Sequence, residues 1–223
     1  MTRLHPALTW LGLGLTLPVA IVLALLCGHY PIQASDLLEA FVQLFSREDR
    51  LSPEHGHVIW QLRFPRVLAA TMIGAVLAAS GATYQGIFRN PLVSPDILGI
   101  SAGAGLGAAI AIYHGASLFT IQMTAFCGGL IAVGSVYYFS RTLRHHDPVL
   151  VLVLAGLAIS AMFGAGIALT KMLADPHSQL PAITFWVLGG LNAISQRELL
   201  ASLPFMLIGL VPLFLLRWRI NLL

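Results

Sequence analysis

The sequence predicts an all-α fold, a polytopic transmembrane helical bundle with about six spans, and three observations carry that prediction. The chain is 57% hydrophobic with a mean hydropathy of +0.84 and only 9% charged residues, whereas water-soluble domains hold about 25%. The apolar residues gather into runs long enough to cross a hydrocarbon core of about 30 Å, which takes about 20 residues. Small residues recur at four-residue spacing within several runs, the pattern of helices that approach closely in lipid. In such a chain the net charge of +3 and the isoelectric point near 9.2 reflect a few Lys and Arg at helix ends. They point to a lipid membrane and not to nucleic acid.

The elements follow in order. Leu8–Gly28 is a first span, too long for a signal-peptide core and without a small-residue cleavage site after it. The most polar region, Ser35 to Gln61, opens with Asp36, Leu37, Leu38, Phe41, Val42 and Leu44, the pattern of a short amphipathic surface helix. Further spans are Arg66–Tyr84, Ile97–Tyr113, Leu118–Ser140, Val149–Met172 and Leu199–Leu216. Leu180 to Leu191, bracketed by Pro181 and Gly189-Gly190, is too short to cross and reads as a re-entrant or interfacial half-helix. Residues 1–223 form a single transmembrane domain. Its expected packing positions are Gly99, Gly103 and Gly107 in the third span, Gly156, Ser160 and Gly164 in the fifth, and Gly74, Ala78 and Gly81 in the second.

Orientation is balanced by raw count. With the N-terminus inside, Arg3, Arg89, Arg141, Arg144, Arg217 and Arg219 face the cytoplasm, and Arg47, Arg50, Arg63, Arg66, Lys171 and Arg197 face outward. Arg141, Arg144, Arg217 and Arg219 abut span ends, where the positive-inside rule acts most strongly, while Arg47 and Arg50 sit among Glu48, Asp49 and Glu54. The N-terminus is therefore read as cytoplasmic.

Catalytic chemistry finds no footing. There is no Gly-x4-Gly-Lys-Ser/Thr phosphate loop, and the run Gly99 to Gly107 lacks the preceding strand and the lysine that a phosphate cradle needs. There is no His-Glu-x-x-His and no Ser or Asp pair of an intramembrane protease. Cys27 and Cys127 lie inside apolar runs and make no disulfide framework. The pairs His55/His57 and His145/His146 lack a third ligand and read as solvated loop residues. No metal, no cofactor and no enzymatic activity are expected. A secondary transporter would carry ionisable residues at mid-membrane, and here Lys171 stands near a span end.

Two stretches stand out. RFPR, residues 63 to 66, places Pro65 where the first turn of a helix tolerates it, with Arg63 and Arg66 at the mouth of the second span. They are either anchors snorkelling to lipid headgroups or a paired cationic dock for carboxylates on a partner. IFRNPLVSPDILGIS, residues 87 to 101, interrupts the apolar pattern with Pro91 and Pro95, through which a helix cannot run smoothly. It is either a polar turn anchored by Arg89 or backbone that lines a cavity.

The stretch LRFPRVLAATMIGAVLAASGATYQGIFRNPLVSPDILGISAGAGLGA resembles the signature region of the FecCD-type permeases. These are the membrane subunits of type II ABC importers for iron-siderophore complexes, haem and vitamin B12. The matched pattern is R-x-P-R, then G-x-x-L-A-x-S-G-x-x-x-Q, then R-N-P-L-x-x-P-x-x-L-G, with weaker matches at VLAGLAIS, FWVLGGLN and RINLL. The resemblance implies a multi-pass subunit of the bacterial inner membrane, paired with a second permease copy around a central path. It also implies two ATP-binding cassette ATPase subunits on the cytoplasmic side and a periplasmic substrate-binding protein outside. Its cargo would be an iron-siderophore complex, with haem or cobalamin as alternatives. Arg63 and Arg66 would dock the binding protein. Asn90, Pro91 and Leu92, with Pro148, Val149 and Leu150, would form the cytoplasmic gate. The family has about ten spans, and after a segment like Arg219–Leu223 it continues into a helix pair, L-G-x-x-x-A-x-x-L-G, that meets the ATPase. The chain is thus expected to be the N-terminal portion of that fold. A non-transporting membrane subunit is the remaining reading.

Overall fold

The computed structural model describes residues 6–43, 46, 51–91, 93–142, 148–192 and 194–220. Every regular element among them is helical. In order they are α1 (Pro6–Leu26), α2 (Ala34–Gln43), α3 (Pro53–His57), a π-helical turn (Val58–Arg63), α4 (Phe64–Phe88), a 3₁₀ turn (Pro95–Leu98), α5 (Ile100–Tyr113), α6 (Leu118–Thr142), α7 (Pro148–Leu173), α8 (Gln179–Leu188) and α9 (Gln196–Ile220). The six expected spans all fall on helices, as do the amphipathic segment (α2) and the half-helix (α8).

Two expectations need correction. Four helices among the described residues are long and apolar enough to cross a membrane, 53–88, 118–142, 150–173 and 196–219. The first and third expected spans are not among them: the described apolar stretch of α1 runs Leu11–Leu26, and α5 has 14 residues, about 21 Å at 1.5 Å per residue. The other correction concerns where the second span begins. Pro53–Phe88 is one continuous helical stretch of 36 residues, so the polar loop ends at Ser52 and Pro65 is not in a first turn. Ser52 caps the start, its Oγ accepting from the His55 N–H. Pro65 has no N–H to give and would crowd a carbonyl one turn back. The π turn just before it widens the helix, with the Phe64 N–H reaching the Ile59 carbonyl, and accommodates the ring.

The chain forms two compact units. One comprises Met1–Met72 with Leu191–Leu199. Its core is Leu25, Ile32, Leu37, Ala40, Leu51 and Ile59, with Trp60 and Val67 packed against it. The other comprises Ile73–Gly190 with Leu200–Leu223. Here α5 is the centre, packed on α6, α7 and α8. Its Gly103, Gly105, Ala108, Ala109 and Ala111 are buried, and small side chains are what allow three helices to crowd one short one.

Candidate docking face and gate

Arg63 and Arg66 follow one another by three residues and have different surroundings. Arg63 ends the π turn and is only 9% exposed. Its Nη1 donates to the Leu25 carbonyl (2.6 Å) and the Leu26 carbonyl (2.9 Å), and its Nη2 to the Tyr30 carbonyl. The Leu25 and Leu26 carbonyls are acceptors that the last turn of a helix leaves without intrahelical partners, and a cation there also complements the helix dipole. A Cβ on Gly28 would stand 2.5 Å from Arg63 Nη2, so glycine at 28 leaves the guanidinium its place. Arg66 is half-buried and donates from Nη2 to the Asn192 carbonyl at 2.5 Å, and its Nε is buried with no acceptor. Gln196 Nε2 donates to the Trp60 carbonyl at 3.3 Å. Ser195 and Glu198 cap the start of α9: the Ser195 N–H and hydroxyl both donate to the Glu198 carboxylate, and the Arg197 N–H donates to the Ser195 Oγ.

The polar residues before α4 are arranged as well. His55 Nδ1 lies 3.3 Å from Asp36 Oδ2, and the Tyr30 hydroxyl donates to Glu54 Oε2 at 3.3 Å. Partial withdrawal from water and the Glu54 carboxylate both push the Tyr30 phenol above its ordinary pKa. Among the described residues no group of three or more His, Cys, Asp or Glu could hold a metal ion.

Past the other end of α4, Arg89 takes a left-handed conformation, φ 47°, with the Arg89 N–H on the Gly86 carbonyl and the Asn90 N–H on the Gln85 carbonyl. That is a Schellman ending, which usually carries glycine at this position. Gln85 Nε2 donates to the Pro91 carbonyl at 3.2 Å. Val93 is buried, and Leu98 enters the core with Ala132, Val136 and Ile159. A Cβ on Gly156 would collide with the Ile97 carbonyl, and one on Gly99 would stand 2.8 Å from Ser160 Oγ. The 3₁₀ turn therefore sits directly on α7, and VLAGLAIS is the surface that receives it.

Of the expected gate residues, Asn90 is half-buried, Pro91 is exposed, and Leu150 is 55% exposed near the start of α7. Pro148 and Val149 open that helix. Leu92 lies outside the described residues, as do Arg47, Arg50, Arg144 and the pair His145/His146. Of the packing positions, Gly103 and Gly107 stand against the backbone of Gly128 and Thr124, and Gly99 and Gly156 meet as described. At Gly74, Gly81 and Gly164 a Cβ would meet nothing within 4 Å.

The comparisons with known proteins agree with this arrangement of motifs. The model of the FecCD transport family matches residues 16–223. The chain belongs to the FecCD transport family. Among its relatives, the molybdate import system permease protein of Haemophilus influenzae is 35% identical over 215 residues, 95% of this chain and 62% of that protein. A Helicobacter pylori protein named "Probable iron chelatin transport system permease protein" is 43% identical over 166 residues, 74% of this chain and 49% of its own length. A solved inward-facing conformation of a "metal-chelate type ABC transporter" superimposes with a TM-score of 0.77 at 32% identity, covering 98% of this chain and 64% of that one. This FecCD chain thus spans about half to two thirds of the length of the relatives it matches.

The sequence reading missed Gly28, Gly128, the π turn and the contacts of Asn192, Ser195, Gln196 and Glu198. Trp60 lies within the π turn and Pro65 just after it, and the CGG triplet at 127–129 held the signal for Gly128.

Proposed function

We propose that this FecCD chain is part of the membrane-spanning permease of an ATP-driven importer of an iron-siderophore complex in the bacterial inner membrane. The observation that carries the reading is α4 itself, with R-x-P-R at its start and, past its end, Arg89 and Asn90 in a hydrogen-bonded turn that leaves the helix. The permease has no enzymatic step of its own; a separate ATP-binding cassette subunit hydrolyses ATP. A periplasmic substrate-binding protein delivers cargo, and a second permease copy completes the path. The iron-chelatin name of the Helicobacter relative supports the cargo. Relatives named for cobalamin and molybdate define the alternatives, with haem a further one within the family.

In this reading the binding protein docks where Arg63 and Arg66 lie. Arg63 holds the end of α1 in place, and Arg66 is the more accessible cation. Charge pairs at an interface rim act chiefly on association rate and salt dependence. Asn90, Pro91 and Leu92, with Pro148, Val149 and Leu150, form the cytoplasmic gate, closing by an apolar constriction that excludes water.

The test is uptake into proteoliposomes holding the permease, its ATPase and its binding protein, offered ferric siderophore, cobalamin and molybdate in parallel. ATP-dependent accumulation of the siderophore alone is expected, and Arg66→Glu should weaken docking most at low salt. Preferential uptake of cobalamin or molybdate overturns the cargo, and uptake independent of ATP overturns the class. For the gate, Leu92→Cys in a background without Cys27 and Cys127 should crosslink two copies in the nucleotide-free state. Reaction with lipid-phase reagents and no crosslink would remove the gate assignment.

A further inference from the structure

Helices α1 and α4 are clamped at one end and apart beyond it. The clamp is Arg63 on the carbonyls of Leu25, Leu26 and Tyr30. Away from it lies an open groove of ≈ 440 Å³, walled by Leu17, Ala20 and Ala24 of α1 and by Val67 and Ala70 of α4, with Arg66 as its charged residue. The hydroxyl of Thr71, also on the wall, donates to the Val67 carbonyl at 2.8 Å, so it offers the groove little polarity. The volume is that of a small-molecule site, about 300–1,000 Å³.

Arg66 gives one Nη2 hydrogen to the Asn192 carbonyl, yet its Nε is buried without an acceptor. A buried charged donor left unpaired is costly, and native structures rarely leave one so. A planar guanidinium fork fits the paired oxygens of a phosphodiester. An apolar groove on a membrane-crossing helix, with such a fork at its end, matches a molecule with a hydrocarbon chain below a phosphate.

We propose that this groove is a phospholipid site, with one acyl chain between α1 and α4 and the phosphodiester on Arg66. The inference goes beyond the import reading and needs neither cargo nor binding protein.

The test is native mass spectrometry of the chain released from phosphatidylglycerol vesicles into mild detergent. One phosphatidylglycerol per chain should be retained. Arg66→Gln should lower retention about 10-fold, and Arg66→Lys should lower it less. Ala70→Phe and Ala24→Leu, which fill the groove and leave Arg66 in place, should lower it as Arg66→Gln does, with thermal unfolding showing that each variant is folded. Inorganic phosphate at millimolar concentration should leave the lipid in place; its displacement of the lipid would mean a free-anion site and overturn the proposal. Retention unchanged in Arg66→Gln, or unchanged in both groove-filling variants, would equally overturn it, as would a second copy of the chain in place of lipid. Docking of a binding protein is read separately, and its failure would bear on the import reading alone.

Discussion

Two helices carry small residues at the same four-residue spacing and stand in opposite surroundings. On α5, Gly103 and Gly107 lie against the backbone of Gly128 and Thr124, so that any Cβ would collide with a carbonyl oxygen. On α4, Gly74 and Gly81 have nothing within 4 Å of where a Cβ would stand, and Leu77 between them is 61% exposed. The same contrast occurs within α7, where Gly156 is pressed under the Ile97 carbonyl and Gly164 is open. A small-residue stripe permits close approach; it does not say whether a partner helix comes to that face. What decides is the neighbour, and for α5 the neighbour is α6, delivered by the four-residue turn 114–117.

The comparison can be broken by substitution. The largest effect is expected from Gly103→Ala and Gly107→Ala, each destabilising by about 3 kcal/mol because backbone must move to admit the methyl. Gly74→Ala should be neutral or stabilising by up to about 1 kcal/mol, since glycine is a poor helix residue. Reversible unfolding in mixed detergent micelles measures both, and equal costs at the two sites would end the distinction. Next, Arg63→Ala should cost about 2–3 kcal/mol by leaving three carbonyls without their charged donor. Protease sensitivity at 27–33 should rise in that variant, while Arg66→Ala should leave it unchanged. Smaller again, Arg89→Gly should stabilise by about 1 kcal/mol, because it relieves a left-handed residue that carries a Cβ. A loss of stability there would show that the Arg89 side chain matters more than its backbone.

The smallest effect is a pH dependence in the turn between α7 and α8. Hydrogen bonds from the Ser178 hydroxyl and the Ser178 and His177 N–H groups hold the Asp175 carboxyl below its ordinary pKa. A lowered folded-state pKa contributes order that is present above the ordinary carboxylate value and fades as pH falls through the folded one. Ser178→Ala should move that loss to higher pH, toward the ordinary value, in a carbon-13 titration of the Asp175 carboxylate. An unshifted titration would show that the hydroxyl contributes nothing.

How much of this was readable follows from the range of the interactions. The helices α1, α6, α7 and α9 were legible because hydropathy is local and their runs are long. α2 was legible from Asp36 followed by apolar residues at helical spacing, and α8 from its bracket of Pro181 and Gly189. α3 and the π turn were not, because His55, Gly56 and His57 read as loop until Ser52 is seen to cap them. The extent of α5 was overestimated because Ile97 and Leu98 are as apolar as a span and yet form a 3₁₀ turn. At the start of α4, the sequence showed two arginines three residues apart but not their difference. The acceptors of Arg63 lie 33 to 38 residues away, and that of Arg66 lies 126 away. No local pattern encodes such distances.

The shortness of α5 has a consequence for how the protein enters its membrane. A segment of about 21 Å leaves roughly a third of a 30 Å hydrocarbon core uncovered, and its five buried residues among Gly and Ala add little transfer energy. Emerging alone from the insertion machinery, it would be a poor stop. Joined to the 25 residues of α6 by a tight turn, it can partition as half of a hairpin, with the longer helix carrying the shorter one across. Insertion of α5 is then expected to wait until α6 has been synthesised. A reporter fused after Tyr113 should show mixed sidedness and one fused after Thr142 a single one, so that the order of synthesis, and not the hydropathy of α5, sets the path of the chain through the bilayer.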